Sequence, residues 1–196
     1  MLTGLMTIWR ALQAGVIVAC LFGFGAVAYG LHDLFTISDE ERLAHDLRLL
    51  PPGLSVTTRL YSNTNFGGFG PGSNEAGLIV FELPETLSAM LKIEGINALK
   101  TATAMPDTPP DRRIQWREAP LDQTLPDWKC GGERPSPCAG IVGFATHYWH
   151  LTRPLPEDLV QLVDNALRTR GNFYGFYRGG VIAIVPEAER IVFAFN

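Results

Sequence analysis

The chain has 196 residues, a formal net charge of −4 and only 18% charged side chains, so it is mildly acidic and carries no basic run. That balance excludes the phosphate grip of a nucleic-acid binder and a polybasic surface for anionic lipid headgroups. Fourteen prolines and twenty glycines predict many turns, below the level that marks disorder.

Residues 1–10 form a short segment ending at Arg10, and Ala11 to Leu31 then runs without a charge. A helix of that length spans roughly 30 Å, the hydrocarbon thickness of a bilayer, so the first expectation is one transmembrane helix over 11–31. Trp9 and Tyr29 suit the two interfaces. Two rival readings stand beside it. Ala26-Val27-Ala28 has the small-x-small form of a signal-peptidase site, and Ile17-Val18-Ala19-Cys20 loosely follows a lipoprotein box. Charge does not orient the segment, because Arg10 lies on one side and Arg42 and Arg48 on the other.

Residues 32–53 read as a juxtamembrane helix and linker. Ser38 with Glu41 three positions later is a capping box, and Pro51-Pro52-Gly53 closes the helix, with Leu43, Leu47 and Leu50 on one face. Residues 54–196 then form one domain. Leu54 to Tyr61 alternates as a half-buried strand, and Gly77 to Leu83 is an apolar central strand. Between them lies a glycine-rich loop, 63–77, that carries Phe66, Phe69 and Asn74. It lacks the spacing of a phosphate-binding loop and is either a wide hairpin connection or a recognition loop.

Pro84-Glu85 opens a helix with Leu87, Met90 and Leu91 buried and Gly95 as its stop. Pro156-Glu157 opens a second, with Leu155, Leu159, Leu162, Val163 and Ala166 on one face and Gly171 as cap. The shared start raises the idea of two strand-helix halves. Arg113 to Glu118 reads as a short edge strand with Ile114 and Trp116 on one side, and Gly140 to Leu151 as a strand. Asn172 to Arg178, Val181 to Val185 and Arg190 to Phe195 read as an antiparallel meander whose apolar last strand must be paired inside the sheet. The fold class expected is therefore α+β: the membrane helix, then a two-layer domain with a mainly antiparallel sheet and two or three helices.

Cys130 and Cys138 flank a Gly/Pro-rich loop, and a disulfide between them needs an oxidising compartment. The amino terminus is accordingly placed in the cytoplasm and the domain outside, in the periplasm if the cell is Gram-negative. His147 and Trp149 share one face of the expected 140–151 strand and form a possible pocket floor, whereas His147 and His150 point to opposite faces and cannot share a metal there. No catalytic, metal-ligating or cofactor-binding set emerges.

The resulting expectation is a single-pass anchored domain that serves as a partner-binding or accessory subunit of a membrane complex. Its partners would be the lipid bilayer and another membrane or envelope protein, with no nucleic acid. The alternative is an envelope enzyme or small-ligand binder whose pocket lies between loop 63–77 and strand 140–151.

Overall fold

A computed structural model describes residues 38–66, 75–104, 113–130, 136–146 and 153–195. The expected membrane segment 11–31 lies outside them, and among the described residues no helix is long and apolar enough to cross a membrane. The described backbone parts into two units between Leu43 and Ala44, the second holding the remainder of the described chain.

Helix α1, Asp39–Leu49, starts as its capping box dictates. The Ser38 hydroxyl accepts the Glu41 N–H at 3.1 Å, and Glu41 Oε2 accepts the Ser38 N–H at 3.1 Å. A 3-10 turn over Pro52–Leu54 follows and buries Leu54, so strand β1 runs Arg59–Phe66 and begins later than the alternation from Leu54 implies. The two prolines fix φ and remove donors, which turns the chain before it can join the sheet.

β1 pairs antiparallel with β2, Glu75–Glu82, in a hairpin that closes at Phe66 and Glu75. Helices α2, Glu85–Glu94, and α3, Ile96–Ala102, come next, separated by Gly95 at φ 57°. Short strands β3, Arg117–Glu118, β4, Lys129–Cys130, and β5, Ser136–Pro137, precede helices α4, Gly140–Ala145, and α5, Glu157–Ala166. The meander β6, Phe173–Tyr177, β7, Gly180–Val185, and β8, Arg190–Phe195, ends the fold. Among the described residues the main sheet has the order β1-β2-β8-β7-β6-β3 with every pairing antiparallel. The apolar last strand β8 lies between β2 and β7, as its composition requires.

Both faces of this sheet are covered. Ile79, Phe81, Ile182, Ile184, Ile191 and Phe193 pack with Leu87 and Leu91 of α2 and Ala98 and Leu99 of α3. Their strand neighbours Leu78, Val80, Val181, Ala183, Val192 and Ala194 pack with α4, α5 and Trp128 on the opposite side. The domain is thus α+β with an antiparallel sheet, but it has three layers where two were expected. The physical reason lies in β2, β7 and β8, which are apolar at successive positions; a strand with one wet face would alternate.

The described part of the expected strand 140–151 is a second correction. Gly140–Ala145 is helical, and Ile141, Phe144 and Ala145 are buried at three- and four-residue spacing. Gly140 takes φ 76°, and a Cβ there would sit 2.6 Å from Asp164 Oδ2. Its open space is used by that carboxylate, whose Oδ1 accepts the Ile141 N–H at 2.8 Å and so ties the start of α4 to α5. Gly140–Ala145 is therefore not part of a strand leading into the second proline-started helix, and residues 147–152 lie outside the described residues. Helix α5 also ends sooner than Gly171, at Ala166.

Candidate functional site

The expected disulfide is present. Cys130, the last residue of β4, and Cys138, just after β5, are bonded with Cα atoms 5.0 Å apart. Cys138 is buried against the α4 side of the core, and Cys130 Sγ lies 3.3 Å from the Gly143 carbonyl oxygen. Trp128, just before the ribbon, stacks on Phe144 with ring centroids 4.9 Å apart. The described residues on either side of 131–135 are therefore tied to the core by a covalent staple and an aromatic pair.

The backbone of Phe66 ends β1, while Phe69, Asn74, His147 and Trp149 lie outside the described residues. What is described is the approach of their flanks. Asn63, buried on β1, donates from Nδ2 to the Arg153 carbonyl oxygen at 2.7 Å. The strand entering loop 63–77 is thereby joined to the backbone that leads into α5.

A different concavity is formed by described residues at the β3 edge. A cleft of about 250 Å³ is lined by Arg113, Gln115, Arg117, Asp127, Phe176 and Arg178, with Leu125, Tyr177 and Gly179 completing it. Alternation along an extended chain explains how it is built. Ile114 and Trp116 turn to the α2–α3 side, so Arg113, Gln115 and Arg117 turn to the other face. Trp116 is buried, donates from Nε1 to Thr103 Oγ1 at 2.9 Å, and rests on Gly175, where a Cβ would be only 3.1 Å from its ring. That anchor holds the row of polar side chains in register, with Arg117 paired to Tyr174.

Arg178 enters from the tight β6–β7 turn. Arg178 and Gly179 have φ of 49° and 75°, the left-handed pair of a two-residue hairpin. The guanidinium donates to the Arg48 carbonyl oxygen at 3.1 Å and lies 5.2 Å from the Tyr177 ring centre, so both contacts hold it without neutralising its charge. Across the cleft, the loop bearing Leu125 and Asp127 is shaped by Asp122. Its Oδ1 accepts the Thr124 hydroxyl at 2.6 Å and the Thr124 N–H at 2.9 Å. Those two hydrogen bonds hold the Asp122 carboxyl below its ordinary value, with Arg117 and Lys129 adding to the effect.

Arg113, Gln115 and Arg117 as a polar row had a visible signal, the complement of Ile114 and Trp116. Arg178 joins them only through the non-sequential pairing of β3 with β6. The chain matches no known family model, no curated protein and no solved structure.

Proposed function

We propose that the chain is a single-pass membrane-anchored domain on the extracytoplasmic side, acting as a partner-binding or accessory subunit of a membrane complex. The observation that carries the compartment is the Cys130–Cys138 bond, because structural disulfides persist where glutathione and thioredoxin do not reduce them. The apolar segment 11–31 supports the anchor. Only a few residues separate its end from Ser38, so partners are sought in or near the same bilayer. Crosslinking in native membranes, followed by purification in mild detergent, tests the role. The reading expects a membrane or envelope protein to co-purify in defined stoichiometry; a chain that runs alone and monomeric at every concentration contradicts it.

A second reading is favoured by one contact. The Asn63 to Arg153 hydrogen bond joins the described flanks of loop 63–77 and of the segment carrying His147 and Trp149. This supports a ligand pocket between those segments, in an envelope enzyme or small-ligand binder. Replacing Phe69 and His147 by alanine would then abolish binding of a ligand found by metabolite screening and leave the fold intact; unchanged binding rejects the pocket.

A further inference from the structure

We propose that the cleft between β3 and the β6–β7 turn binds an anionic oxygen group, phosphate or carboxylate, carried by a small molecule. Among the described residues, Arg113, Arg117 and Arg178 line it together with one acid, Asp127, in a chain whose net charge is −4. Among the described residues the ion pairs join Asp46 to Arg59 and His45, and neither Arg117 nor Arg178 takes part in one. Guanidinium forks around one concavity match the paired oxygens of a carboxylate or phosphate, and charge-assisted bonds of this kind are the stronger class.

Two further features point the same way. Arg178 occupies the left-handed region at φ 49°, where Asn or Gly is the ordinary residue and a longer side chain is strained. That strained residue puts a cation in the lining of the cleft. Phe176 supplies an apolar wall and Gln115 a neutral donor and acceptor, so the anion has room for a short carbon body beside it. At about 250 Å³ the space is smaller than the roughly 300–1,000 Å³ of drug-sized sites, which suits a single anionic group with a small body. Asp127 suits a hydroxyl next to the anion, which can donate to it. A free solute and a phospholipid headgroup both offer this chemistry.

The test uses the full-length protein in zwitterionic detergent, followed by amide and arginine side-chain NMR. Inorganic phosphate and citrate are titrated in turn, and vesicles of phosphatidylglycerol are compared with phosphatidylcholine. We expect saturable shifts confined to 113–117 and 176–179. Arg117→Gln should weaken binding about ten-fold or more, since it removes a charged hydrogen-bond donor. Gln115→Glu, which places a carboxylate on the exposed rim and spares the core, should weaken it comparably. Arg168→Gln removes the same charge at an exposed position outside the cleft and should change nothing. Saturation by phosphate or citrate identifies a soluble ligand, and saturation by the anionic vesicles alone identifies a headgroup; either supports the proposal. No saturable response to any probe, or equal losses in Arg117→Gln and Arg168→Gln, overturns it. Binding in detergent is independent of which side of a membrane the domain occupies, so this result stands or falls apart from the anchoring proposal.

Discussion

The Asp46–Arg59 pair makes an asymmetric prediction about stability. Asp46 is almost completely buried at 4% side-chain exposure, and its Oδ2 receives Arg59 Nη1 at 2.6 Å; the arginine keeps 21% exposure. Attraction at that distance is roughly 6 kcal/mol at an effective dielectric of 20, and desolvation of the two ions offsets most of it. Removing the cation strands the buried carboxylate, with only the half-exposed His45 Nδ1 3.8 Å from its other oxygen. Arg59→Met is therefore expected to cost about 3–5 kcal/mol. Asp46→Asn leaves an arginine that can turn to water, and should cost less, about 1–3 kcal/mol. Replacing both together, Asp46→Leu with Arg59→Met, should recover most of the loss, because neither ion remains to be desolvated. For a domain of this size the larger loss lowers Tm by roughly 6–20 °C. Urea unfolding followed by the fluorescence of buried Trp116 and Trp128 measures all of these. Equal, small costs for the two single changes, or a double variant worse than the sum of the singles, would refute the reasoning.

Three other outcomes follow from the same structure. Replacing both Cys130 and Cys138 by serine removes closure of a loop with separation 8, which should cost about 2.5 kcal/mol in the chain-entropy account and appear as a lower urea midpoint. Gly140→Ala combines positive φ with a close approach to Asp164, so it should cost about 1–3 kcal/mol; hydrogen exchange should show α4 opening more readily while β8 keeps its protection. The Asp122 carboxyl should titrate below its ordinary value, because the Thr124 hydroxyl and amide bind its charged form. A depressed native value means that its contribution is complete above the unfolded value of about 3.9 and is lost as pH falls through the native one. NMR titration should locate that change in residues 122–125, and Thr124→Val should raise the Asp122 value; no rise would contradict the assigned cause.

Local chemistry was the most legible part of the chain. Ser38 and Glu41 cap α1 as their spacing dictates, Pro84 and Pro156 stand at helix starts, and the three strands of the meander from Phe173 to Phe195 form as expected, though the first turn falls on Arg178-Gly179 and not on Gly179-Gly180. The disulfide follows from two cysteines flanking a loop with no other staple. The third layer was within reach too: Gly180–Val185 is buried at every position, and a strand without alternation implies cover on both sides. Gly140–Ala145 was harder to read, because six apolar and small residues fit a buried strand and a short helix alike, and Asp164, which caps it, lies far along the chain. The cleft depends on topology. Residues 113–117 showed their two faces, but nothing local to Arg178 reveals that β6 will take β3 as its outer neighbour.

Protease accessibility of the Cys130–Cys138 domain in intact cells, as spheroplasts where an outer membrane is present, tests the anchoring account most directly. With the membrane unbroken, added protease should degrade the folded domain and leave a membrane-embedded fragment that contains 11–31. Full-length chain protected until lysis, or recovered in the soluble fraction, would contradict the account.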